Sequence, residues 1–407
     1  MKNLLDSNQY AFLYFLQYGL NGSSSWAAPT EFSFESIFTE SINQQLTGIM
    51  YDGILKSGFV DKVPQELRNK WKEKAMMNYM FVERIMNAQN EILKKLSDSG
   101  IKCVVLKGSS VSAYYSTPCL RAQGDIDLFV KREQIDICLD LLRNMGYEDE
   151  EDHSDHHLNV QKDNILIEVH YTLGSVPDKK TAEKIDSLFA CFDNSVGYID
   201  CLGYSIPVLS PALQATSLLI HIIQHMTAAG IGFRQICDWA FWTAACADEK
   251  IYSECVDLLK QLGIYKFACI ISHFCRTWLG CDIHFFDEYT PDLKELHPLL
   301  CDIFDGGDFG KKDMNRYRSR FLFSNSAEKH GFLGRIFQSV RSMHHIAVLR
   351  HPIFNKCLIL RPFAFLCIPC GYIFRILTGR NDKSTLKKSI DIAKKRTAIY
   401  EKMDLFK

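Results

Sequence analysis

Two aspartates separated by one residue are the part of this sequence whose chemistry is easiest to infer. Asp125 and Asp127 alternate with apolar residues in the run DIDLFV, a pattern that predicts a β-strand. Because side chains at positions i and i+2 of a strand point to the same face, we expect the two carboxylates to lie side by side. A divalent cation would relieve their repulsion, and oxygen ligands suit Mg²⁺ or Mn²⁺.

A third carboxylate, Glu168, lies in the alternating run ILIEVHY (165–171), which predicts another strand. Ile167 and Val169 would face the core, whereas Glu168 and His170 would share the opposite face. We predict that Glu168 joins the two aspartates as a metal ligand. His170 either supports these ligands or is an ordinary hydrogen-bonded structural residue.

A glycine and two serines follow the apolar run IKCVVL (101–106), which predicts a further strand. Gly108 permits close approach of the backbone, and Ser109 and Ser110 offer N–H and hydroxyl groups to phosphate oxygens at a helix start. Lys107 is either a substrate contact or a surface lysine at a strand end. The Arg121 guanidinium favours a phosphate contact, with orientation of the loop as the alternative.

The elements that must position these groups form a small α/β unit at about 96–205. Helical periodicity is clear at 61–99, with Pro64 at the start and Gly100 as the C-terminal cap. The segment 133–145 predicts an amphipathic helix that ends at Gly146. Ser210 and Pro211 begin a run of helices that extends to about residue 280. We therefore predict an α+β fold with a small mixed sheet and helices packed on one side.

Length and charge suggest four regions in the 407 residues. These are an N-terminal helical region (1–95), the α/β domain (96–205), a helical domain (206–310) and a basic C-terminal helical region (311–407). The last region has 21 Lys and Arg against 6 Asp and Glu, a net charge of +15, whereas residues 1–310 have a net charge of −16. The basic region is expected either to dock on the acidic body or to bind an anionic partner.

Composition and cysteine usage point to a cytoplasmic globular protein. A hydrophobic content of 47% and a charged content of 23% exclude collagen-like, coiled-coil and wholly disordered chains. The 15 cysteines fit a reducing compartment, and the first 20 residues predict a helix rather than a signal peptide. The longest uncharged piece of the apolar run 357–374 has 13 residues, fewer than the ~20 that span a bilayer. A buried helix is the favoured interpretation, and peripheral contact with a membrane beside the basic flanks is the alternative.

Several other clusters resemble sites but favour structural roles. His221 and His225 have the i, i+4 spacing of zinc ligands, yet no third ligand follows. His225, Arg234 and Asp238 either line the cleft of the site or pair with one another, and the structural role is favoured. Packing is also favoured for Tyr114 and Tyr115, and for the two cysteines of the C-x-x-C at 367–370. A solvated loop is predicted for the polar cluster of Asp152, His153, Asp155, His156 and His157.

Three segments resemble the uncharacterised nucleotidyltransferase family of the polymerase-β-like superfamily. They are VVLKGSSVSAYYSTPCLRAQGDIDLFV (104–130), ILIEVHYTL (165–173) and HIIQHMTAAGIGFRQICDWA (221–240), and the resemblance covers roughly residues 60–290. It implies a nucleotidyltransferase core flanked by helical N- and C-terminal domains. It also implies that Asp125, Asp127 and Glu168 bind metal and that Gly108 and Ser109 contact the nucleotide phosphates.

These observations predict a metal-dependent nucleotidyltransferase (EC 2.7.7 type) that moves a nucleoside monophosphate from an NTP, such as ATP, to an acceptor hydroxyl with release of pyrophosphate. Asp125 and Asp127 would bind Mg²⁺ or Mn²⁺, and Glu168 would help to activate the acceptor. The acceptor stays open among a small molecule, a sugar, a protein side chain and an RNA end. A non-catalytic nucleotide-binding module and a membrane-surface adaptor led by the basic region are the alternative functions.

Overall fold

A mixed five-stranded sheet lies between groups of helices in the computed structural model, which describes residues 4–150, 157–174, 176, 179–319, 344, 347–348, 353–356, 359–367, 370–371 and 383–406. The strands are β1 (Cys103–Val105), β2 (Asp125–Val130), β3 (Glu148–Asp149), β4 (His157–Lys162), β5 (Ile165–His170), β6 (Gly197–Cys201) and β7 (Tyr204–Val208). The helices are α1 (Ser7–Asn21), α2 (Phe34–Asn43), α3 (Thr47–Lys56), α4 (Gln65–Asp98), α5 (Ser109–Ser112), α6 (Ile135–Asn144), α7 (Lys179–Phe189), α8 (Pro211–Ala228), α9 (Phe233–Ala245), α10 (Glu249–Gln261), α11 (Tyr265–Leu279), α12 (Leu293–Gly306), α13 (Met314–Ser319), α14 (Ile353–Lys356) and α15 (Lys383–Glu401).

The main sheet has the strand order β1-β2-β5-β4-β3, and β6 and β7 form a separate hairpin. Strands β2 and β5 are parallel, whereas the other neighbouring pairs of the main sheet are antiparallel. One face buries the alternate apolar side chains of β2 and β5, such as Leu128 and Ile167, beneath α4 and α6. The prediction of an α+β fold with a small mixed sheet between helical regions is therefore confirmed.

Helix α4 connects two hydrophobic cores. Its residue Trp71 is buried in a large core with the helices on either side of the α/β unit, whereas Val82 and Ile92 belong to the core beneath the sheet. Pro64 precedes the helix and Gly100, with φ of 71°, follows it, as the sequence predicts. Because one continuous helix belongs to both cores, it holds the sheet in a fixed position relative to the other helices.

The predicted N-terminal and central helical regions share the large core. Helix α1 packs against α3 and α11. Its Phe12 ring also lies 5.5 Å from the Phe233 ring of α9 and 5.6 Å from the Phe304 ring of α12, measured between centroids. Tyr400 and Met403, from the C-terminal region, also lie in this core. The proposed boundaries at 95, 205 and 310 stay predictions, and helices from all four regions contribute to this core.

Several elements differ from the sequence predictions. The helix expected after Gly108 is a single turn (α5), and α6 begins at Ile135 after a short 3₁₀ turn. Pro211 does begin α8, but the Ser210 side chain makes no capping hydrogen bond. Strands β3, β4, β6 and β7 and helix α7 were not predicted. The pattern HLNVQK of β4 has only two apolar residues, Leu158 and Val160, which pack in the core beneath the sheet. Its polar residues His157 and Asn159 lie on the side of the sheet that carries the carboxylates.

The basic C-terminal region docks on the acidic body through α15. Arg396, which is fully buried, donates to the carbonyl oxygens of Met226 and of Ala228 (3.2 Å) at the end of α8. Its Nε also lies 3.7 Å from Oδ2 of Asp302, and Arg316 Nη2 lies 2.7 Å from the same oxygen. The guanidinium of Arg396 thus satisfies carbonyl groups that a helix C-terminus leaves without partners.

Parts of two sequence predictions lie outside the described residues. These are the cluster Asp152, His153, Asp155 and His156, and residues 357–358, 368–369 and 372–374 of the apolar run. Within the described ranges, none of the helices combines the length and the apolar character that crossing a bilayer requires.

We expect Arg396→Ala to lower the free energy of unfolding by about 3 kcal/mol, because the substitution removes a buried cation from Asp302 and from the α8 carbonyls. Lys395→Ala is the matched control, since Lys395 is exposed on the same helix and should cost less than ~0.5 kcal/mol. Urea unfolding followed by tryptophan fluorescence measures both. Equal stability of the two variants would contradict the docking of α15.

Candidate active site

Buried hydrogen bonds hold the loop that follows β1. Gly108 has φ of 64°, a left-handed conformation that is strained for any residue with a side chain. The hydroxyl of Ser109 donates to Oε1 of Gln89 on α4 at 2.9 Å, and the hydroxyl of Ser110 donates to the carbonyl of Lys107 at 3.3 Å. Both serines are fully buried. The Ser109 hydroxyl therefore attaches the loop to α4, and the Ser110 hydroxyl closes a contact within the loop.

The three predicted carboxylates meet on one face of the sheet. The parallel register of β2 and β5 places Asp127 opposite Glu168, and Asp125 lies two residues before Asp127 on the same face. The carboxylate oxygens of Asp125, Asp127 and Glu168 lie within 4.8 Å of one another. The expected grouping of these side chains thus follows from strand register alone.

Two basic side chains contact the most buried of these carboxylates. Lys107 Nζ lies 2.7 Å from Oδ1 of Asp127, and His170 Nε2 lies 3.0 Å from the same oxygen. The His170 nitrogen also lies 3.3 Å from Oε2 of Glu168. Since the Asp127 side chain is only 2% exposed, these contacts replace the solvation that it loses on folding.

The pKa values of the two aspartates shift in opposite directions. Burial, followed by the neighbouring charge of Asp127, raises the pKa of Asp125 to about 6. Burial also opposes ionisation of Asp127, but the positive charge of Lys107 and the hydrogen bond from His170 outweigh it and hold the pKa of Asp127 below its ordinary range. Burial lowers and the carboxylates more strongly raise the pKa of Lys107, which keeps its ammonium charged. The cluster therefore has an excess of negative charge at Asp125, where a cation would be favourable.

Arg121 lies in a buried ion pair rather than facing open space. Its Nε and Nη2 donate to the two carboxylate oxygens of Asp238 on α9, each at 2.6 Å, and the hydroxyl of Tyr115 donates to Asp238 at 2.7 Å. The Arg121 side chain is 3% exposed. This bidentate pair connects the segment before β2 to the helical domain, which favours the loop-orienting alternative over a phosphate contact.

Two histidines of α8 lie beside the loop after β1: His221 contacts Lys107, and His225 contacts His221. Nδ1 of His221 lies 3.4 Å from Lys107 Nζ, and the rings of His221 and His225 are 4.2 Å apart in an edge-on arrangement. Burial, followed by the charge of Lys107, lowers the pKa of His221 well below its ordinary value. A neutral His221 can therefore sit beside the lysine ammonium without repulsion.

Arg234, at the start of α9, pairs with a residue that the sequence analysis did not single out. Its Nη2 lies 3.2 Å from Oδ2 of Asp308, whose other oxygen accepts from Gln235 Nε2 at 2.7 Å. The guanidinium also lies over the ring of Phe309, 5.3 Å from the centroid. The tyrosines Tyr114 and Tyr115 pack as expected, with the hydroxyl of Tyr114 donating to Gln214 at 3.1 Å.

His157 does not belong to a solvated loop, and this prediction was wrong. It is the first residue of β4, where it pairs with His170 of β5, and Asn159 pairs with Glu168. The Nε2 atom of His157 lies 3.9 Å from Oε1 of Glu168. The sequence signal for this hairpin is the dipeptide Asp163-Asn164, whose φ angles of 50° and 60° are those of a two-residue turn with the twist that antiparallel strands favour.

The donor set of Asp125, Asp127 and Glu168 fits a divalent cation. Three carboxylates at this separation supply the hard oxygen ligands that Mg²⁺ and Mn²⁺ prefer. Burial and the charge of Asp127 raise the pKa of Asp125 to about 6, so added positive charge would favour its ionised form. A cation held by these carboxylates would supply positive charge to phosphate groups bound at the neighbouring loop.

Two solved structures of nucleotidyltransferase type resemble the chain. One is the antibiotic-resistance factor ANT(2'')-Ia, at 10% identity and a TM-score of 0.32, with 44% of this chain and 92% of that chain covered. The other is an antigenic nucleotidyltransferase-like protein from Paracoccidioides brasiliensis, at 13% identity and a TM-score of 0.30, with 49% and 94% covered. Both likenesses are too low to transfer a substrate or a site residue.

The comparison with curated proteins gives no match. A family model does match: the description is "uncharacterised nucleotidyltransferase", and the match extends over residues 30–280, which is more than half of the chain. It includes the loop after β1, the three carboxylates and the two helices that face them. The protein is therefore a member of this nucleotidyltransferase family.

Proposed function

We propose that this protein transfers a nucleoside monophosphate from an NTP to an acceptor hydroxyl, with release of pyrophosphate and with a divalent metal ion as cofactor. The observation that carries the proposal is the grouping of Asp125, Asp127 and Glu168 within 4.8 Å on neighbouring strands, in a chain that belongs to a nucleotidyltransferase family. The reaction is of the EC 2.7.7 type, and ATP is the first nucleotide to test. The acceptor stays open among small molecules, sugars, protein side chains and RNA ends.

Asp125 and Asp127 are the proposed ligands of Mg²⁺ or Mn²⁺, with Glu168 beside them. When bound, the metal supplies positive charge for the phosphate oxygens and for the oxygen that leaves. Lys107 contributes a fixed positive charge at the same place, because its ammonium lies 2.7 Å from Asp127. The Lys107 ammonium lies at the edge of the cluster of three carboxylates. When an NTP binds, a phosphate oxygen can replace Asp127 as the partner of this ammonium.

Glu168 is the proposed acceptor of the proton that the hydroxyl loses. The acceptor oxygen forms a bond to the α-phosphorus as the bond from that phosphorus to the β-phosphate oxygen breaks. Pyrophosphate departs with the electron pair, and the hydroxyl proton passes to Glu168 and then to solvent. Glu168 suits this role because it is less buried than Asp127, with 19% of its side chain exposed against 2%.

The loop after β1 is proposed to receive the phosphates through its backbone. Gly108 gives close access, and Ser109 and Ser110 are held by the buried hydrogen bonds of their hydroxyls. Arg121 is proposed to orient this region through Asp238 and thus to act as a positioning residue. Preorganisation of this kind lowers the cost of ordering the loop when the nucleotide binds.

The alternative of a non-catalytic nucleotide-binding module is less well supported, because it does not require three acidic side chains to be assembled against their repulsion. For the basic C-terminal region, contact with an anionic partner or a membrane surface stays a proposal. The observation in its favour is that α15 exposes Lys387, Lys388, Lys394 and Lys395 while Arg396 is turned inward.

Asp125→Asn and Asp127→Asn test the metal assignment. Each keeps the side-chain volume and removes the charge that the metal requires, so NTP turnover should fall by about three orders of magnitude, equivalent to ~4 kcal/mol. Turnover is measured as pyrophosphate release with increasing Mg²⁺ or Mn²⁺, and circular dichroism checks the fold. Asp200→Asn, in the hairpin that lies outside the site, is the matched control. Wild-type turnover with an unchanged metal dependence in a folded Asp125→Asn variant would refute the assignment.

Glu168→Gln should reduce turnover by about 100-fold or more, as for the loss of a general base, while the NTP dissociation constant changes less than about threefold. The reason is that the proposed proton transfer belongs to the transition state rather than to nucleotide binding. Single-turnover kinetics and equilibrium nucleotide binding separate the two effects. An unchanged rate constant with weakened NTP affinity would make Glu168 a binding residue instead.

Asp238→Asn should lower the free energy of unfolding by about 3 kcal/mol, because it leaves the Arg121 charge buried without its anionic partner. The double variant Arg121→Met with Asp238→Leu removes both charges and should recover most of that loss. If Arg121 only positions the loop, the double variant should bind NTP within about threefold of the wild-type affinity. A folded double variant with at least tenfold weaker binding would instead make Arg121 a phosphate ligand.

A further inference from the structure

Two imidazoles flank Glu168 on the face of the sheet that carries the site. The ligating atoms of His157, Glu168 and His170 lie within 4.8 Å of one another. Among the described residues this is one of two such groups of three, and Glu168 belongs to both. The aspartate-containing group offers oxygen alone, whereas this one offers two nitrogens and one oxygen.

The hairpin of β4 and β5 fixes this arrangement. His157 and His170 are direct partners in the antiparallel register, with ring centroids 4.9 Å apart, and Glu168 is two residues from His170 on the same face. The turn at Asp163-Asn164 has two residues, so the register cannot slip without strain. The three side chains are therefore held together by the backbone and do not depend on a mobile segment to meet.

The distances agree with ligation of one ion. Metal–nitrogen and metal–oxygen bonds of about 2.1 Å in a tetrahedral site place neighbouring ligand atoms ~3.4 Å apart. Nε2 of His170 lies 3.3 Å from Oε2 of Glu168, and Nε2 of His157 lies 3.9 Å from Oε1. Side-chain exposures of 14% for His157 and 7% for His170 leave the group enclosed but open on the side of His157.

We propose that His157, Glu168 and His170 form a second cation position that takes a divalent transition-metal ion, such as Zn²⁺, Mn²⁺ or Co²⁺, beside the oxygen-only position of Asp125 and Asp127. Two imidazoles and one carboxylate are a common ligand set for such ions, and Mg²⁺ binds imidazole poorly. The position deepens the proposed function because Glu168 is shared, and its test can be read independently of turnover. A bound ion would replace Asp127 as the partner of Nε2 of His170, since that nitrogen lies 3.0 Å from Oδ1 of Asp127 in this structure.

The test uses the full chain, stripped with a chelator and loaded with Co²⁺ or Mn²⁺ alone. Co²⁺ binding is followed by its visible absorption, and electron spin echo modulation of the Mn²⁺ complex reports directly on nitrogen ligands. His157→Gln and His170→Gln remove one nitrogen each. Loss of a partner outside the ligand sphere already costs 10–100-fold in affinity, so each should weaken Co²⁺ binding at least ~100-fold. His284→Gln is the matched control, since His284 is 72% exposed and lies outside this face.

Nitrogen modulation in the wild type that weakens in both variants and persists in the control would support the proposal. Wild-type protein without nitrogen modulation, or with modulation unchanged by His157→Gln, would overturn it. If His170→Gln lowers the melting temperature so far that it does not fold, the less buried His157→Gln decides. A chain that turns over NTP with Mg²⁺ but shows no nitrogen ligand refutes this position and keeps the proposed function. A chain that shows the nitrogen ligands but does not turn over NTP supports the second cation position and refutes the proposed function.

Discussion

The parallel pairing of β2 with β5 is the constraint on which the site depends. It places Asp127 opposite Glu168 with Asp125 beside them, so that three acidic groups share one face of a largely buried sheet. Such a group is unfavourable unless cations accompany it. Lys107 and His170 provide part of this compensation by contacting Asp127, whereas burial and the charge of Asp127 raise the pKa of Asp125 to about 6.

Three contacts from three helices hold the two segments beside these carboxylates, the loop after β1 and the segment before β2. Gln89 of α4 accepts from Ser109, His221 of α8 lies beside Lys107, and Asp238 of α9 holds Arg121. Each contact is buried or partly buried, where a hydrogen bond or an ion pair is costly to break. The helical regions on both sides of the α/β unit are therefore part of the site, because they set the position of its loop.

Residues of the C-terminal region also contact a helix that carries residues of the site. Helix α8 carries His221 and His225, and its last carbonyl groups accept hydrogen bonds from Arg396 of α15 and Arg316 of α13. Part of the basic region therefore serves to satisfy one helix terminus and the buried Asp302. On the other side of the site, the hairpin of β4 and β5 brings His157 to Glu168. The C-terminal region and the hairpin of β4 and β5 thus contact elements that carry residues of the site.

The sequence alone determined the carboxylates of the site, because alternation on a strand dictates which side chains share a face. Asp125 and Asp127 could be grouped in this way and Glu168 assigned to the polar face of its own strand, but only the parallel pairing of β2 with β5 places Glu168 opposite Asp127. The long α4 and the start of α8 followed from helical spacing and from Pro64 and Pro211. The contacts of Arg121 and Ser109 could not be predicted, since their partners are 117 and 20 residues away and only packing brings them together. His157 was misplaced because β4 has only two apolar residues, Leu158 and Val160, and follows a run of acidic and histidine residues that favours a loop. Tertiary structure decided its position, because the pairing of β4 with β5 is set by a turn and by a neighbouring strand rather than by its own residues.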